Sequence, residues 1–99
     1  MEILDWIQNW FKANCDGEWE HGQGIQIITL DNPGWEIEID ISKTSVAFLE
    51  LKWILNEKSK QDWYGVKIKN QKFYAAGDAS KLTFLLGLFK EMIEKIENE

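Results

Sequence analysis

The chain has 99 residues, of which 44% are hydrophobic, 28% are charged and one is proline. This composition predicts a single packed domain, residues 1–99, and excludes a disordered or collagen-like chain. The formal charge of −6 arises from 17 acidic and 11 basic residues, and every basic residue is lysine. Such a balance argues against nucleic-acid binding and favours a cationic partner.

The single cysteine and the start of the chain predict a cytoplasmic location. Cys15 has no second cysteine with which to form a disulfide, and the first residues lack the basic region of a secretory signal. The longest apolar run, Leu82–Phe89, is shorter than the about 20 residues that span a bilayer. We therefore expect a soluble chain with no membrane association.

The first part of the chain predicts a helix, a loop and a β-hairpin in that order. Apolar residues recur at helical spacing over Glu2–Asn14, and the glycine-rich segment Cys15–Gly24 follows as a loop. The β-rich runs Ile25–Leu30 and Trp35–Ile41 form the hairpin. In the turn of this hairpin, Pro33 fixes φ at the second position, and Gly34 can adopt the positive φ of the third position.

The second part predicts more strands and a closing helix. Three strands are expected, at Phe48–Leu55, Trp63–Lys69 and Lys72–Ala76, with a tight turn at Asn70-Gln71 between the last two. An apolar stripe from Leu82 to Ile96 has helical spacing, and Asp78 or Ser80 can cap the start of that helix. Because strands and helices do not alternate, we predict an α+β fold: an antiparallel meander of about five strands with the N-terminal and C-terminal helices packed on one face.

Six tryptophans exceed what a small core usually needs, so each ring is assigned to the core or to a contact surface. Four fall on predicted buried faces and are assigned to the core: Trp6, Trp10, Trp35 and Trp53. Trp19 lies in the loop and Trp63 on the polar side of its strand, where an indole serves as a lid over the core or as a contact anchor. We favour the lid for Trp19.

The densest polar cluster is in the loop, where His21 follows Cys15, Asp16, Glu18 and Glu20. A histidine with carboxylates can bind a metal or act as acid and base, and Cys15 with His21 can form a nucleophile pair. Since the chain has no second histidine or cysteine to complete such a site, we expect no metal, no cofactor and no catalytic residue. The carboxylates then either accept backbone N–H bonds within the loop or form a contact surface.

An acidic strip is predicted on the second strand, where Glu36, Glu38 and Asp40 alternate with apolar residues. Their side chains share one face at a spacing of roughly 7 Å. The simplest interpretation is a solvated strand face, but the same strip would also attract a basic partner. Lys67 and Lys69 neutralise it if their strand is a neighbour.

Four segments occur in order within the first forty residues: Leu4–Trp10 (LDWIQNW), Cys15–His21 (CDGEWEH), Gly24-Ile25 and Leu30–Trp35 (LDNPGW). In order and spacing they resemble the immunity protein 53 family of bacterial polymorphic toxin systems. The resemblance continues more weakly through Thr44, Asp62-Trp63 and Phe73 to the Leu82–Phe89 helix, and it is weakest over Phe48–Asn56.

The resemblance implies a small cytoplasmic antitoxin that binds a cognate protein toxin and occludes its surface, and it does not imply an enzyme. Many such toxins are nucleases with basic clefts, which an acidic inhibitor suits. On this interpretation the toxin contacts lie on the loop and on the strip, at Asp16, Glu18, Glu20, Glu36, Glu38 and Asp40.

The segments that carry the resemblance also fit a structural role. In that case Trp19, His21, Pro33, Gly34 and Trp35 hold the loop and hairpin, and specificity lies at residues 56–62 or on the outer sheet face. A different alternative is a small metal- or ligand-binding protein, or an enzyme, that uses the His21 loop. An exposed edge at the short last strand would allow a homo-oligomer.

Overall fold

A computed structural model describes residues 2–22 and 24–98 of the chain, which form two long helices and five strands. The helices are α1 (Glu2–Asn14) and α2 (Leu82–Glu97), and a short 3-10 helix spans Trp19–His21. The strands are β1 (Ile25–Leu30), β2 (Gly34–Asp40), β3 (Leu51–Ser59), β4 (Asp62–Lys69) and β5 (Lys72–Asp78). The α+β prediction is confirmed.

All neighbouring strands are antiparallel, but the order β1-β2-β5-β4-β3 is not the predicted meander. The last strand, β5, lies in the centre of the sheet, where it pairs with β2 from Gly34↔Asp78 to Asp40↔Lys72. Residues 41–50 connect β2 to β3 and bury Val46 in the core, so this connection is too long for a hairpin. The predicted free edge at β5 is therefore wrong, and the two edges are β1 and β3.

The core lies between the helices and one face of the sheet. Phe89 of α2 is fully buried and contacts the rings of Trp6, Trp10 and Phe73 at centroid distances of 6.1, 4.8 and 5.1 Å. The core also contains buried residues of β2 and β5, namely Ile37, Ile39 and Ala75. Among the described residues, no helix has the length and apolar character needed to cross a membrane.

The two predicted turns have different outcomes. Asn70 and Gln71 form the tight β4–β5 turn as predicted, with φ of 55° and 61°. Gly34 does not have the predicted positive φ, because it already belongs to β2. Its role is close approach: a Cβ at Gly34 would overlap the carbonyl oxygen of Gly77 on β5. Only the β2–β5 pairing makes this role visible.

The predicted cap of α2 is also wrong. Lys81 is the N-cap residue, and no side chain in the described part of the chain caps the helix. Asp78 instead is buried and joins β4, β5 and the start of α2. Its carboxylate accepts hydrogen bonds from the backbone N–H of Trp63 at 2.9 Å, from the Ser80 hydroxyl at 2.6 Å and from Lys81 Nζ at 2.9 Å.

The third strand departs furthest from prediction. It runs over Leu51–Ser59 rather than Phe48–Leu55, and all of its residues are exposed. Trp53 is 45% exposed, so its assignment to the core is wrong. The reason is that β3 is an edge strand paired only with β4, and the Trp53 ring covers Gly65 on the sheet face opposite the helices. Trp10 and Trp19 are buried, whereas Trp6, Trp35 and Trp63 are half-buried.

Candidate functional site

Two carboxylates of the loop are hydrogen-bonded to the loop's own backbone. Asp16 Oδ1 accepts from the N–H groups of Glu18 and Trp19, both at 2.9 Å. The Glu20 carboxylate accepts from the N–H groups of Asp16 and Gly17, also at 2.9 Å. These bonds lower the pKa of both groups, with the N–H of Trp19 the largest cause for Asp16 and the N–H of Glu20 itself the largest for Glu20. Both carboxylates therefore stabilise the loop conformation.

Glu18, Trp19 and His21 differ in their contacts and in their exposure. Glu18 forms an exposed ion pair with Lys43 at 3.1 Å, and this bond raises the pKa of the lysine. Trp19 is only 4% exposed and packs on Trp10 at 5.6 Å, which is the predicted lid position. His21 is exposed, and its backbone N–H donates to the Glu18 carbonyl at 3.1 Å.

The loop has little of the chemistry that an enzyme or a metal site requires. Desolvation, and then the charges of Glu20 and Asp16, raise the pKa of the Cys15 thiol, which disfavours the nucleophilic thiolate. Within residues 2–22 and 24–98, no three histidine, cysteine, aspartate or glutamate side chains are grouped so that they could hold a metal ion. The alternative that relied on His21 and its neighbouring carboxylates therefore gains no support from the geometry.

The acidic strip lies on the sheet face opposite the helices, which we call the open face. Because Glu38 is opposite Tyr74 and Tyr74 is opposite Lys67, these three side chains share this face. The Tyr74 hydroxyl donates a hydrogen bond to the half-buried Glu36 carboxylate. Burial is the main cause that raises the pKa of Tyr74 to about 12, followed by this bond and by the charges of Glu36 and Glu38.

Aromatic and basic groups lie beside the strip on the open face. The Trp53 ring covers Gly65, where a Cβ would overlap it, and lies 6.1 Å from the Tyr74 ring. Lys67 Nζ lies 5.1 Å from the centroid of the Tyr74 ring. A depression of about 420 Å³ opens between Glu38, Tyr74 and Lys67. Since β5 separates β4 from β2, the lysines of β4 do not adjoin the strip directly.

The strip and the loop adjoin each other at Asp40. The backbone N–H of Asp40 donates to the Gly24 carbonyl at 2.8 Å, and Asp40 Oδ1 accepts from the N–H of Ser42 at 2.9 Å. A Cβ at Gly22 would lie 3.7 Å from Asp40 Oδ2. Two groups of candidate contact residues that are separate in sequence are thus contiguous in the fold.

The hairpin residues lie at the other end of the strip. Pro33 is in the exposed β1–β2 turn, and Trp35 is half-buried. Trp35 Nε1 donates to the Ala79 carbonyl at 2.9 Å, which ties the hairpin to the β5–α2 junction.

Sequence reasoning found Glu36 and Glu38 by their alternation but missed Tyr74 and Trp53 as members of the same surface. The strand order and the Glu38↔Tyr74↔Lys67 register bring the group together, and neither is encoded locally.

A family model described as Immunity protein 53 matches residues 4–94, which is nearly the whole chain. No curated protein and no solved structure matches the chain.

Proposed function

Because the chain belongs to the immunity protein 53 family, we propose that it binds and neutralises a cognate bacterial protein toxin through the open face of its sheet. The family supports an immunity role and a toxin partner. The contact surface and the mode of neutralisation are proposed from the geometry of the chain.

One observation carries this choice of surface: Glu36 and Glu38 are half-buried beside aromatic groups on the open face. The Tyr74 hydroxyl bonds to Glu36, and Trp53 lies next to Tyr74. Aromatic residues and pre-positioned charges are the features that concentrate binding energy in the centre of a protein interface. The open face therefore combines an anchor with a charged recognition element.

The net charge indicates the chemistry of the partner. At −6, the chain as a whole attracts a positively charged surface, and Glu36 and Glu38 add to that attraction on the open face, which also carries Lys67 and Lys72. A toxin with a basic cleft, such as a nuclease, has the complementary charge. In this proposal the chain covers that cleft and blocks access of the toxin's substrate.

The loop has a secondary place in this proposal. Asp16 and Glu20 accept backbone bonds, and Glu18 already pairs with Lys43, so a toxin would compete with existing partners there. The loop nevertheless adjoins the strip at Asp40 and extends the acidic surface. Direct toxin contact by Asp16, Glu18 and Glu20 stays a prediction.

The test takes as candidate toxin the product of the open reading frame next to the gene for this chain, in a growth-rescue assay and a binding assay with the purified proteins. We expect Glu36→Gln with Glu38→Gln to weaken binding about 10- to 100-fold, to slow association and to reduce its salt dependence. The matched control is Glu91→Gln with Glu94→Gln, which makes the same charge change on exposed positions of α2. This control variant should bind nearly as tightly as the wild type.

Two results would contradict different parts of the proposal. Equal affinity and equal salt dependence of the strip variant and the α2 variant would exclude the open face as the contact surface. Failure of the wild-type chain to bind the neighbouring toxin or to restore growth would contradict toxin neutralisation itself.

A further inference from the structure

The open face carries lysines as well as the acidic strip. Lys67 and Lys69 are exposed on β4, and Lys72 is half-buried on β5. Because Lys69 is opposite Lys72 and Lys72 is opposite Asp40, these side chains lie on the same face as the strip. Lys67 is two residues from Lys69 in the same strand and therefore shares that face. We call Lys67, Lys69 and Lys72 the lysine group.

The lysine group is unfavourable for the sheet itself. Lys69 and Lys72 are directly opposed at the end of the β4–β5 pairing, and like charges in that position repel each other. Lys67 adds a third positive charge on the same face. Local choices that oppose the stability of a fold are expected where a surface serves recognition.

The lysine group is separated from the acidic strip by Tyr74. The depression between Glu38, Tyr74 and Lys67 also reaches Lys69 and Lys72. Lys67 Nζ lies 5.1 Å from the centroid of the Tyr74 ring, a cation–π contact that positions the ammonium group before a partner arrives. Neighbouring strands lie about 4.8 Å apart, so β4 is about 10 Å from β2 across β5. The open face is thus divided into an acidic side and a basic side.

The surroundings of the lysine group favour carboxylates of a protein over a nucleic-acid backbone. A nucleic acid carries a continuous row of phosphates, and a strand that covers the open face would also meet the acidic strip. The chain has no arginine, the residue best suited to bidentate phosphate contacts. In contrast, one or two carboxylates on a protein surface can reach the lysines without approaching Glu36 or Glu38.

We propose that the lysine group receives an acidic segment of the toxin while the strip on β2 contacts the toxin's basic surface. This inference rests on the proposed function and specifies its partner: acidic side chains on the toxin lie about 10 Å from a basic region. Opposite charges on the two sides of one face also fix the orientation of the toxin. A toxin turned by half a revolution over the open face would bring like charges together.

The test compares the affinity of the candidate toxin for two variants that each lose two positive charges. Lys67→Gln with Lys69→Gln changes the lysine group, and Lys12→Gln with Lys95→Gln changes exposed positions of α1 and α2. We expect the first variant to bind about 10-fold more weakly than the wild type, because an attraction is lost. The second variant should bind at least as tightly as the wild type, since it is more negative as a whole.

The sign of the effect distinguishes the proposal from a toxin surface that is basic throughout. Such a surface would be repelled by the lysine group, so Lys67→Gln with Lys69→Gln would then bind more tightly than the wild type. Equal or tighter binding by this variant would overturn the inference. The proposed function would still stand if Glu36→Gln with Glu38→Gln binds weakly.

A stability measurement needs no toxin. Lys69→Gln relieves the repulsion from Lys72, so the urea concentration at the midpoint of unfolding should stay the same or rise. A lower midpoint would show that the fold itself requires the charge of Lys69, and this would overturn the assignment to a partner.

Two further outcomes separate the inference from its alternatives. A wild type that binds a short single-stranded RNA through the lysine group, with toxin affinity unchanged in Lys67→Gln with Lys69→Gln, would overturn it in favour of a nucleic-acid partner. Failure of the wild type to bind the candidate toxin would instead contradict the proposed function, on which this inference rests.

Discussion

Tyr74 occupies the centre of the open face and connects its acidic and aromatic parts. Its hydroxyl donates to Glu36, and its ring lies between Lys67 and Trp53. Burial and the two nearby glutamates raise the pKa of Tyr74 to about 12, so the hydroxyl remains a donor at neutral pH. A protonated Tyr74 holds the Glu36 carboxylate in one orientation before a partner arrives.

We predict that Glu36→Gln lowers the pKa of Tyr74 toward the ordinary value of about 10, because the change removes a negative charge beside the hydroxyl. The titration is followed by the ultraviolet absorbance of tyrosinate in a Tyr64→Phe background, which leaves Tyr74 as the remaining tyrosine. Glu91→Gln on α2 serves as the control and should leave the titration unchanged. A pKa that stays at about 12 in Glu36→Gln would contradict the assigned bond.

The raised pKa of Tyr74 contributes to the stability of the fold at alkaline pH. Because the folded-state pKa of Tyr74 lies above the unfolded value, the stabilisation it reports is complete below pH about 10 and is lost as the pH rises toward about 12. Unfolding curves across that window should show a smaller loss for Glu36→Gln than for the wild type.

At the scale of the elements, the β2–β5 pairing holds the two halves of the sheet together. It joins the β1–β2 hairpin to the β3–β4–β5 unit along seven residue pairs, from Gly34↔Asp78 to Asp40↔Lys72. At one end of this pairing, Gly34 and Gly77 bring their backbones together more closely than a side chain would allow. The pairing depends on glycine at position 34.

We predict that Gly34→Ala lowers the free energy of unfolding by about 2–3 kcal/mol, because the added methyl group meets a backbone carbonyl that cannot rotate away. Gly87→Ala in α2 is the matched control, since a Cβ there has no atom within 4 Å and alanine favours the helix. It should stabilise the chain by up to about 1 kcal/mol. Urea unfolding measures both, and equal stability of the two variants would exclude the close-approach role.

A helix or strand can be predicted from the sequence when the residues that determine it lie close together in the chain. The stripe of α1 and the alternation of β2 depend on residues close in sequence, and both were predicted correctly, including the separation of Ile37 and Ile39 from Glu36 and Glu38. The central position of β5 depends on which strand pairs with β2, a choice between distant segments that alternation does not encode.

The third strand shows the same limit for burial. Period 2 identified residues that share a face, but burial also requires an element that covers that face. Trp53 and Leu55 stay exposed because they lie on the open face, opposite the helices, at the edge of the sheet. In the candidate site, the acidic residues of β2 could be predicted from their alternation. Their aromatic neighbours, Tyr74 and Trp53, could be identified only once the pairing of the strands was known.

At the scale of the whole molecule, the response to acid combines two opposing effects. As carboxylates are protonated, the net charge of −6 at pH 7 becomes less negative, which relieves repulsion within the folded chain. Asp78 acts in the opposite direction. Hydrogen bonds from the Ser80 hydroxyl first, and then from Lys81, hold its pKa well below the usual range. Its ionised form joins β4, β5 and α2, so its protonation weakens the whole fold.

We predict that the melting temperature changes little from pH 7 to pH about 5 and falls steeply below pH about 4. Because the folded-state pKa of Asp78 is depressed, its stabilisation is complete above the unfolded pKa of about 3.9 and is lost as the pH falls below that value. Asp78→Asn should therefore have a lower melting temperature than the wild type at pH 7, and the difference between the two melting temperatures should narrow at pH about 3.

Ser80→Ala removes one hydrogen-bond donor to Asp78 and should give a smaller difference in melting temperature with the same pH dependence. This variant tests the prediction even if Asp78→Asn folds poorly. Asp31→Asn in the exposed β1–β2 turn makes the same charge change and should follow the wild type throughout. A difference between Asp78→Asn and the wild type that is as large at pH about 3 as at pH 7 would show that the charge of Asp78 does not govern the acid stability.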